Sequence, residues 1–257
     1  MGDGRSYLIV GNWKMHRTVS ETVEALLELT QRWKGAEGVK VVICPPFTAI
    51  LIAAKTVAGS EIRLGAQNLH WAPEGAFTGE VSPVMLQELA VDYVIVGHSE
   101  RRILFQEDGP AVAKKFAAAL ENGLLPILCV GENGAEREAG RQGQIVEEQI
   151  REVLTPLKEP GKFAIAYEPV WAIGTGKTAE PEDVQRMHGH IRTILGKCGV
   201  AAGQVPILYG GSVNASNSAS LLSQRDVDGA LVGGASLRND EFLAIAGQAA
   251  QLAGRKI

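Results

Sequence analysis

Eight short apolar runs, each about 30 residues from the next, constrain this chain more than any other feature. They occupy residues 7–11, 39–44, 62–67, 93–97, 126–131, 163–168, 206–210 and 229–233 and are rich in Val, Ile and Leu. Between them lie segments with helical spacing, at 19–33, 111–120, 145–154, 181–195 and 242–252. Runs that are apolar on both faces belong to strands buried on both faces, as in a parallel sheet covered by helices. Eight such units without an intervening linker predict a single (β/α)8 barrel domain over residues 1–257, an α/β fold. An open doubly wound sheet is the alternative. The 257-residue length suits one barrel.

Formal net charge is −4, from 25 basic and 29 acidic residues. Nothing in that balance supplies the global basic field that nucleic acid or an anionic membrane demands. No apolar run approaches the ~18 residues of a membrane span, and no leader-type segment opens the chain. The expectation is a cytoplasmic protein. Met1-Gly2-Asp3-Gly4-Arg5-Ser6 fits the loose N-myristoylation pattern, but without a nearby second anchor it does not change that expectation. Cys44 and Cys129 end or nearly end apolar runs and read as buried reduced thiols, and Cys198 has no partner at metal-ligand spacing.

Nearly every run stops at residues a strand interior would reject: Asn12 and Lys14, Gln67-Asn68, His98-Ser99-Glu100, Gly131-Glu132, Glu168, Gly210-Gly211-Ser212, Gly233-Gly234. In a barrel these are the carboxyl ends of the strands, the face that carries chemistry. Residues far apart in sequence are therefore expected to converge there.

The stretch after Glu168 contains two near-matches to nucleotide motifs. A P-loop needs glycine where Trp171 stands. Gly174-x-Gly176-x-x-Ala179 fits a relaxed dinucleotide fingerprint, yet residues 191–200 bring no acidic strand end for a ribose. A better reading starts from Glu168 itself. Pro169 biases it to extended backbone. The following Val170, Trp171, Ala172, Ile173, Gly174, Thr175, Gly176 and Lys177 form a loop both apolar and glycine-hinged, the composition of a water-excluding lid. Under such a lid, desolvation is expected to raise the carboxylate pKa and strengthen it as a base.

His98 opens a turn in which Ser99 is expected to cap a short helix, and the positive helix end disfavours a protonated ring. Lys14, converging on the same face, is placed to stabilise an enolate-like oxyanion, with Asn12 beside it. The glycine pairs after the seventh and eighth runs suit backbone N–H donors to phosphate.

Taken together, Gly11-Asn12-Trp13-Lys14-Met15, Gly75-Ala76-Phe77-Thr78-Gly79-Glu80, Gly97-His98-Ser99-Glu100-Arg101-Arg102, residues 166–177, 209–213 and 231–237 resemble the triosephosphate isomerases over essentially the whole chain. The resemblance implies interconversion of dihydroxyacetone phosphate and D-glyceraldehyde 3-phosphate through an enediolate, in glycolysis and gluconeogenesis, with no cofactor and no metal. It implies Glu168 as base, His98 as electrophile, and Lys14 and Asn12 as charge-stabilising, substrate-binding groups. Gly174, Ser212, Gly233 and Gly234 would offer N–H groups to phosphate, and Glu100, Ser99 and Cys129 would support the reacting side chains. The family is itself the standard example of the raised base, neutral histidine and closing lid. A homodimer is implied too, its loop Gly75, Ala76, Phe77, Thr78 and Gly79 bringing Thr78 to the neighbour's Asn12 and Lys14.

Two rivals remain. A Schiff-base aldolase or lyase needs a lysine buried near a carboxyl strand end, and the strands contain only Lys40. A binding protein without chemistry is countered by Lys14, His98 and Glu168 standing together.

Overall fold

A computed structural model describes residues 6–172 and 179–254. Eight parallel strands, β1 (Tyr7–Asn12), β2 (Val39–Cys44), β3 (Ile62–Ala66), β4 (Tyr93–Val96), β5 (Leu125–Val130), β6 (Ala164–Tyr167), β7 (Ile207–Tyr209) and β8 (Gly229–Val232), close in sequence order into a barrel. Closure is made by β1 on β8, with Leu8 opposite Gly229 and Gly11 opposite Val232. The open sheet is thereby excluded. Each expected run holds one strand, although most stop one or two residues short because the polar ends turn into the loops.

The expected helices form at Val19–Arg32, Gly109–Glu121, Gln142–Leu154, Pro181–Lys197 and Asn239–Ala253. Local chemistry sets their starts. Thr18 and Glu21 make a reciprocal capping box, Asp108 caps Gly109–Glu121, and Pro181 occupies the first turn where its missing N–H costs nothing. Shorter helices such as Ile50–Val57 and Pro83–Glu88 were not marked by periodicity, since one or two turns give too few repeats. No helix among the described residues is long and apolar enough to cross a membrane.

Strand alternation divides the core in two. Side chains such as Ile9, Val41, Ile43 and Ile165 pack outward against the helices. Leu8, Val10, Val42, Cys44, Ile95, Ile127, Cys129, Ala166, Leu208 and Leu231 fill the barrel. The barrel is thus a packed peg beneath the carboxyl ends rather than a channel. Cys44 and Cys129 are buried free thiols, as expected, and Cys198 is partly exposed.

Candidate active site

Asn12, Lys14, His98, Glu168, Ser212, Gly233 and Gly234 line one cavity of about 310 Å³ at the carboxyl ends of the strands. Four of the eight strands deliver the polar side chains, so the convergence expected from run endings is realised.

Glu168 follows β6 and is 2% exposed. Two neighbouring strands make room for it by lacking side chains. A Cβ on Gly131 would lie 1.7 Å from the Glu168 carbonyl oxygen, and one on Gly210 would lie 2.9 Å from Glu168 Cγ. Gly210→Ala is therefore expected to displace the carboxylate while the barrel survives. The expected result is a kcat about 100-fold lower, since a small misplacement of a reacting group is enough. Steady-state kinetics beside a thermal melt check it, and an unchanged kcat would contradict the packing account.

The Glu168 carboxylate has two polar neighbours. The Ser99 N–H donates to Oε2 at 2.8 Å, and His98 Nε2 stands 2.9 Å from Oε1, off the line of an ideal hydrogen bond. His98, not Ser99, is the N-cap of helix Ser99–Leu104: its Nδ1 accepts the Glu100 N–H at 3.2 Å. Ser99 instead becomes the first helical residue, freeing its own N–H for Glu168. With the Nδ1 lone pair so engaged, the ring proton belongs on Nε2, facing the Glu168 carboxylate.

These contacts reverse two electrostatic expectations. Burial pushes the Glu168 carboxyl up, but the His98 ring, the Ser99 amide and the Lys14 charge together hold it below the ordinary carboxylate value. Burial likewise disfavours the His98 cation, yet Glu168 and Glu100 outweigh this and hold its pKa above the usual imidazole value. The contact between the two side chains is the largest opposing influence on both shifts. Drawing the carboxylate away from the ring and the amide leaves burial as the main influence on each, which raises Glu168 and lowers His98.

The same pair makes stability pH-dependent. Glu168, with its depressed pKa, stabilises the fold while ionised; that effect is present above about pH 4.3 and lost as pH falls through its folded pKa. His98, with its raised pKa, stabilises while protonated; that effect is present below about pH 6.5 and lost as pH rises through its folded pKa. Stability relative to a Glu168→Gln variant is therefore expected to peak between those values and shrink on both sides. Urea denaturation across pH measures it, and a flat difference would contradict the pairing.

Lys14 sits just past β1 in the left-handed backbone region, φ 51°. That is an unusual conformation for a side-chain-bearing residue and is held by its neighbours. Asn12 Oδ1 accepts the Lys14 N–H at 3.0 Å, and Gln67 Nε2 donates to the Lys14 carbonyl at 2.8 Å. The ammonium reaches Glu100 Oε1 at 2.7 Å and passes close to Gly233, where a Cβ would lie 3.6 Å from Lys14 Cε. Trp13, fully buried with Nε1 donating to the Ser236 carbonyl, ties this turn to the loop after β8. Gln67 and Trp13 thus shape the site. From the sequence Gln67 reads only as a strand ending, and nothing in its local sequence reveals which carbonyl it grips.

On the opposite wall, the N–H groups of Ser212, Gly233 and Gly234 donate to no acceptor among the described residues. Gly234 begins the single-turn helix Gly234–Leu237. Unpaired amides beside a helix start and a lysine make an anion-binding surface. Arg238 lines the same cavity.

The proposed lid is only partly described. Pro169, Val170, Trp171 and Ala172 are seen, with a helical turn at Val170–Ala172. Ile173, Gly174, Thr175, Gly176 and Lys177 lie outside the described residues, and with them the amide of Gly174. The near end is held by Glu132, fully buried, whose Oε1 accepts from Tyr167 Oη at 3.1 Å, Trp171 Nε1 at 3.0 Å and Arg137 at 3.3 Å. Ser212 Oγ donates to the Ala172 carbonyl at 2.9 Å, linking the wall of unpaired amides to the same loop. Sequence reasoning saw Glu132 only as a strand-end acid; its three donors come from other segments. Behind Glu168, burial pushes the Cys129 thiol well above its ordinary pKa and the glutamate charge adds to this. Cys129 therefore fills space as a neutral group.

Loop residues Gly75, Ala76, Phe77, Thr78 and Gly79 are all exposed. They stand between β3 and helix Pro83–Glu88, with Phe77 packed on His70 at a 4.1 Å ring separation.

Comparison with known proteins adds a family. The family model described as "Triosephosphate isomerase" matches residues 7–249. A protein named triosephosphate isomerase from Roseiflexus castenholzii is 50% identical over 245 residues, covering 94% of this chain and 96% of its own length. Namesakes from Dictyoglomus thermophilum (242 residues, 93% of this chain, 97% of its own) and Aquifex aeolicus (240 residues, 93% and 97%) are each 47% identical.

Proposed function

This chain belongs to the triosephosphate isomerase family and interconverts dihydroxyacetone phosphate and D-glyceraldehyde 3-phosphate, and we propose how its residues divide that work. Glu168 removes a proton from the carbon beside the carbonyl and returns it to the adjacent carbon. His98 donates Nε2–H to the developing enediolate and passes protons between its two oxygens. Lys14 and Asn12 carry the negative charge at those oxygens, with Glu100 holding the Lys14 head. Ser212, Gly233, Gly234 and Gly174 bind the phosphate through backbone N–H groups, and the loop from Pro169 to Lys177 closes over the site.

One observation carries this reading: a buried carboxylate and a buried imidazole 2.9 Å apart beside a lysine and a wall of unpaired amides. An aldolase would need its lysine in the cavity on a strand. Lys14 lies there, but past the strand and paired with Glu100. The test is to run D-glyceraldehyde 3-phosphate in deuterated water and follow the product by proton NMR. Isomerisation with solvent deuterium entering the reacting carbon is expected; product without exchange would argue against a carboxylate base.

The protein acts, in this proposal, as one domain in a cytoplasmic homodimer. Support comes from apolar side chains left in water: Met15, next to Lys14, is 94% exposed, and Phe77 and Met85 are also uncovered. Thr78 of one copy would then buttress Asn12 and Lys14 of the other.

A further inference from the structure

A second cavity, of about 540 Å³, lies away from the carboxyl-end cavity of about 310 Å³. It lies at the opposite, amino-terminal mouth of the barrel, where the chemistry described above has no part. Leu8, Tyr93, Leu125 and Ala164, which close the barrel interior at that end, form its floor, and Phe163 and Val205 extend its apolar wall. Two lysines line it, Lys40 and Lys162, and no acidic residue does.

Lys40 is the telling residue. It lies on β2 opposite Leu8, and strand alternation puts it on the same face as Val42 and Cys44, which point into the barrel. An aliphatic residue would be the ordinary occupant of that position. Neither Lys40 nor Lys162 forms an ion pair or a side-chain hydrogen bond with another described residue, whereas Lys14 and Lys115 both do. Two cations that no other described residue neutralises, at the rim of an apolar hollow, run against the net charge of −4. They suit a ligand with complementary halves: an apolar body for the floor and one anionic group for the lysines. The volume falls within the range of about 300–1,000 Å³ that accepts drug-sized molecules.

We propose that the amino-terminal mouth of this barrel is a second small-molecule site, selective for an amphipathic anion whose ring or chain sits on Leu8, Tyr93 and Phe163 and whose carboxylate or sulfonate pairs with Lys40 and Lys162. The site is separate from the triose phosphate cavity and shares none of its lining residues. Ligand there stabilises the folded barrel by mass action.

The probe is 8-anilinonaphthalene-1-sulfonate, titrated by fluorescence into the full chain with glycerol 3-phosphate saturating the carboxyl-end cavity. One probe per chain is expected, with affinity falling as salt rises. Replacing both lysines (Lys40→Gln with Lys162→Gln) is expected to weaken it about tenfold. Binding of neutral N-phenyl-1-naphthylamine should change less than twofold. Ala201→Trp, at an exposed lining position, should exclude both dyes, and triose phosphate turnover should be unchanged in every variant. Displacement of the probe by glycerol 3-phosphate would move its binding to the reaction site and overturn the proposal. Indifference to the lysine and tryptophan replacements would overturn it too. So would binding that emerges only after removal of residues 1–5, which would make the chain's own amino terminus the occupant.

Discussion

Glu168→Gln is expected to lower isomerisation at least 1,000-fold while leaving the barrel folded and a phosphate-bearing inhibitor still bound. Glutamine keeps the volume and one acceptor oxygen but cannot take a proton from carbon, and a positioned general base contributes about 10²–10⁴-fold on its own. Glutamine is nearly isosteric with glutamate, and the room that Gly210 leaves beside Glu168 Cγ is unchanged, so loss of activity is not a packing effect. His98 and the Ser99 amide meanwhile lose a charged partner and keep a neutral one. Inhibitor binding draws on Lys14 and the loops after β7 and β8, none of which changes. Kinetics and calorimetric titration of the same sample separate the two effects. Turnover within tenfold of the parent would place the base elsewhere.

Lys14→Gln is expected to be nearly as damaging, by about 100- to 1,000-fold in kcat/KM, but with a different signature. Loss of one preorganised charge-stabilising donor costs about 2.7–4 kcal/mol in transition-state binding where the developing oxyanion depends on it. Here the same ammonium also faces the anion wall at Gly233, so inhibitor affinity should fall along with kcat. Glu100, deprived of its 2.7 Å partner, becomes a negative charge beside the site and deepens the loss. Stability should change little, because the pair is partly exposed and such pairs contribute at most about 1 kcal/mol. A variant with normal inhibitor affinity and depressed kcat would confine Lys14 to the reacting oxygens.

The fold was legible because its signal repeats. Runs apolar on both faces at regular spacing have few solutions, and each of the eight became a strand of the closed barrel. The convergence of the candidate side chains was legible for a related reason: Asn12, Lys14, His98 and Glu168 are polar residues where apolar runs stop, and they line one cavity. What sits behind them was not. Gln67 gripping the Lys14 carbonyl, Glu132 gathering Tyr167 and Trp171, and Trp13 reaching Ser236 are contacts between segments far apart in sequence. Such contacts depend on register and tilt, which a linear pattern does not encode. The electrostatic reading failed at a single distance. Desolvation alone predicts a raised Glu168 and a lowered His98, and their 2.9 Å approach, with help from the Ser99 amide, Lys14 and Glu100, reverses both.

The hydrogens at positions 131 and 210 have a consequence for how this protein can vary. The proposed base follows one strand, but the room it needs is written at the ends of two others, and neither carries any reactive atom at those points. Substitutions at 131, 168 and 210 should therefore not act independently: shortening the base to aspartate opens space that an alanine at 210 can enter with less conflict than it meets beside glutamate. A scan that altered one position at a time would record three separate sensitivities and miss that they share one cause. The three are a single unit, and its boundaries follow the geometry of neighbouring strands rather than the order of the chain.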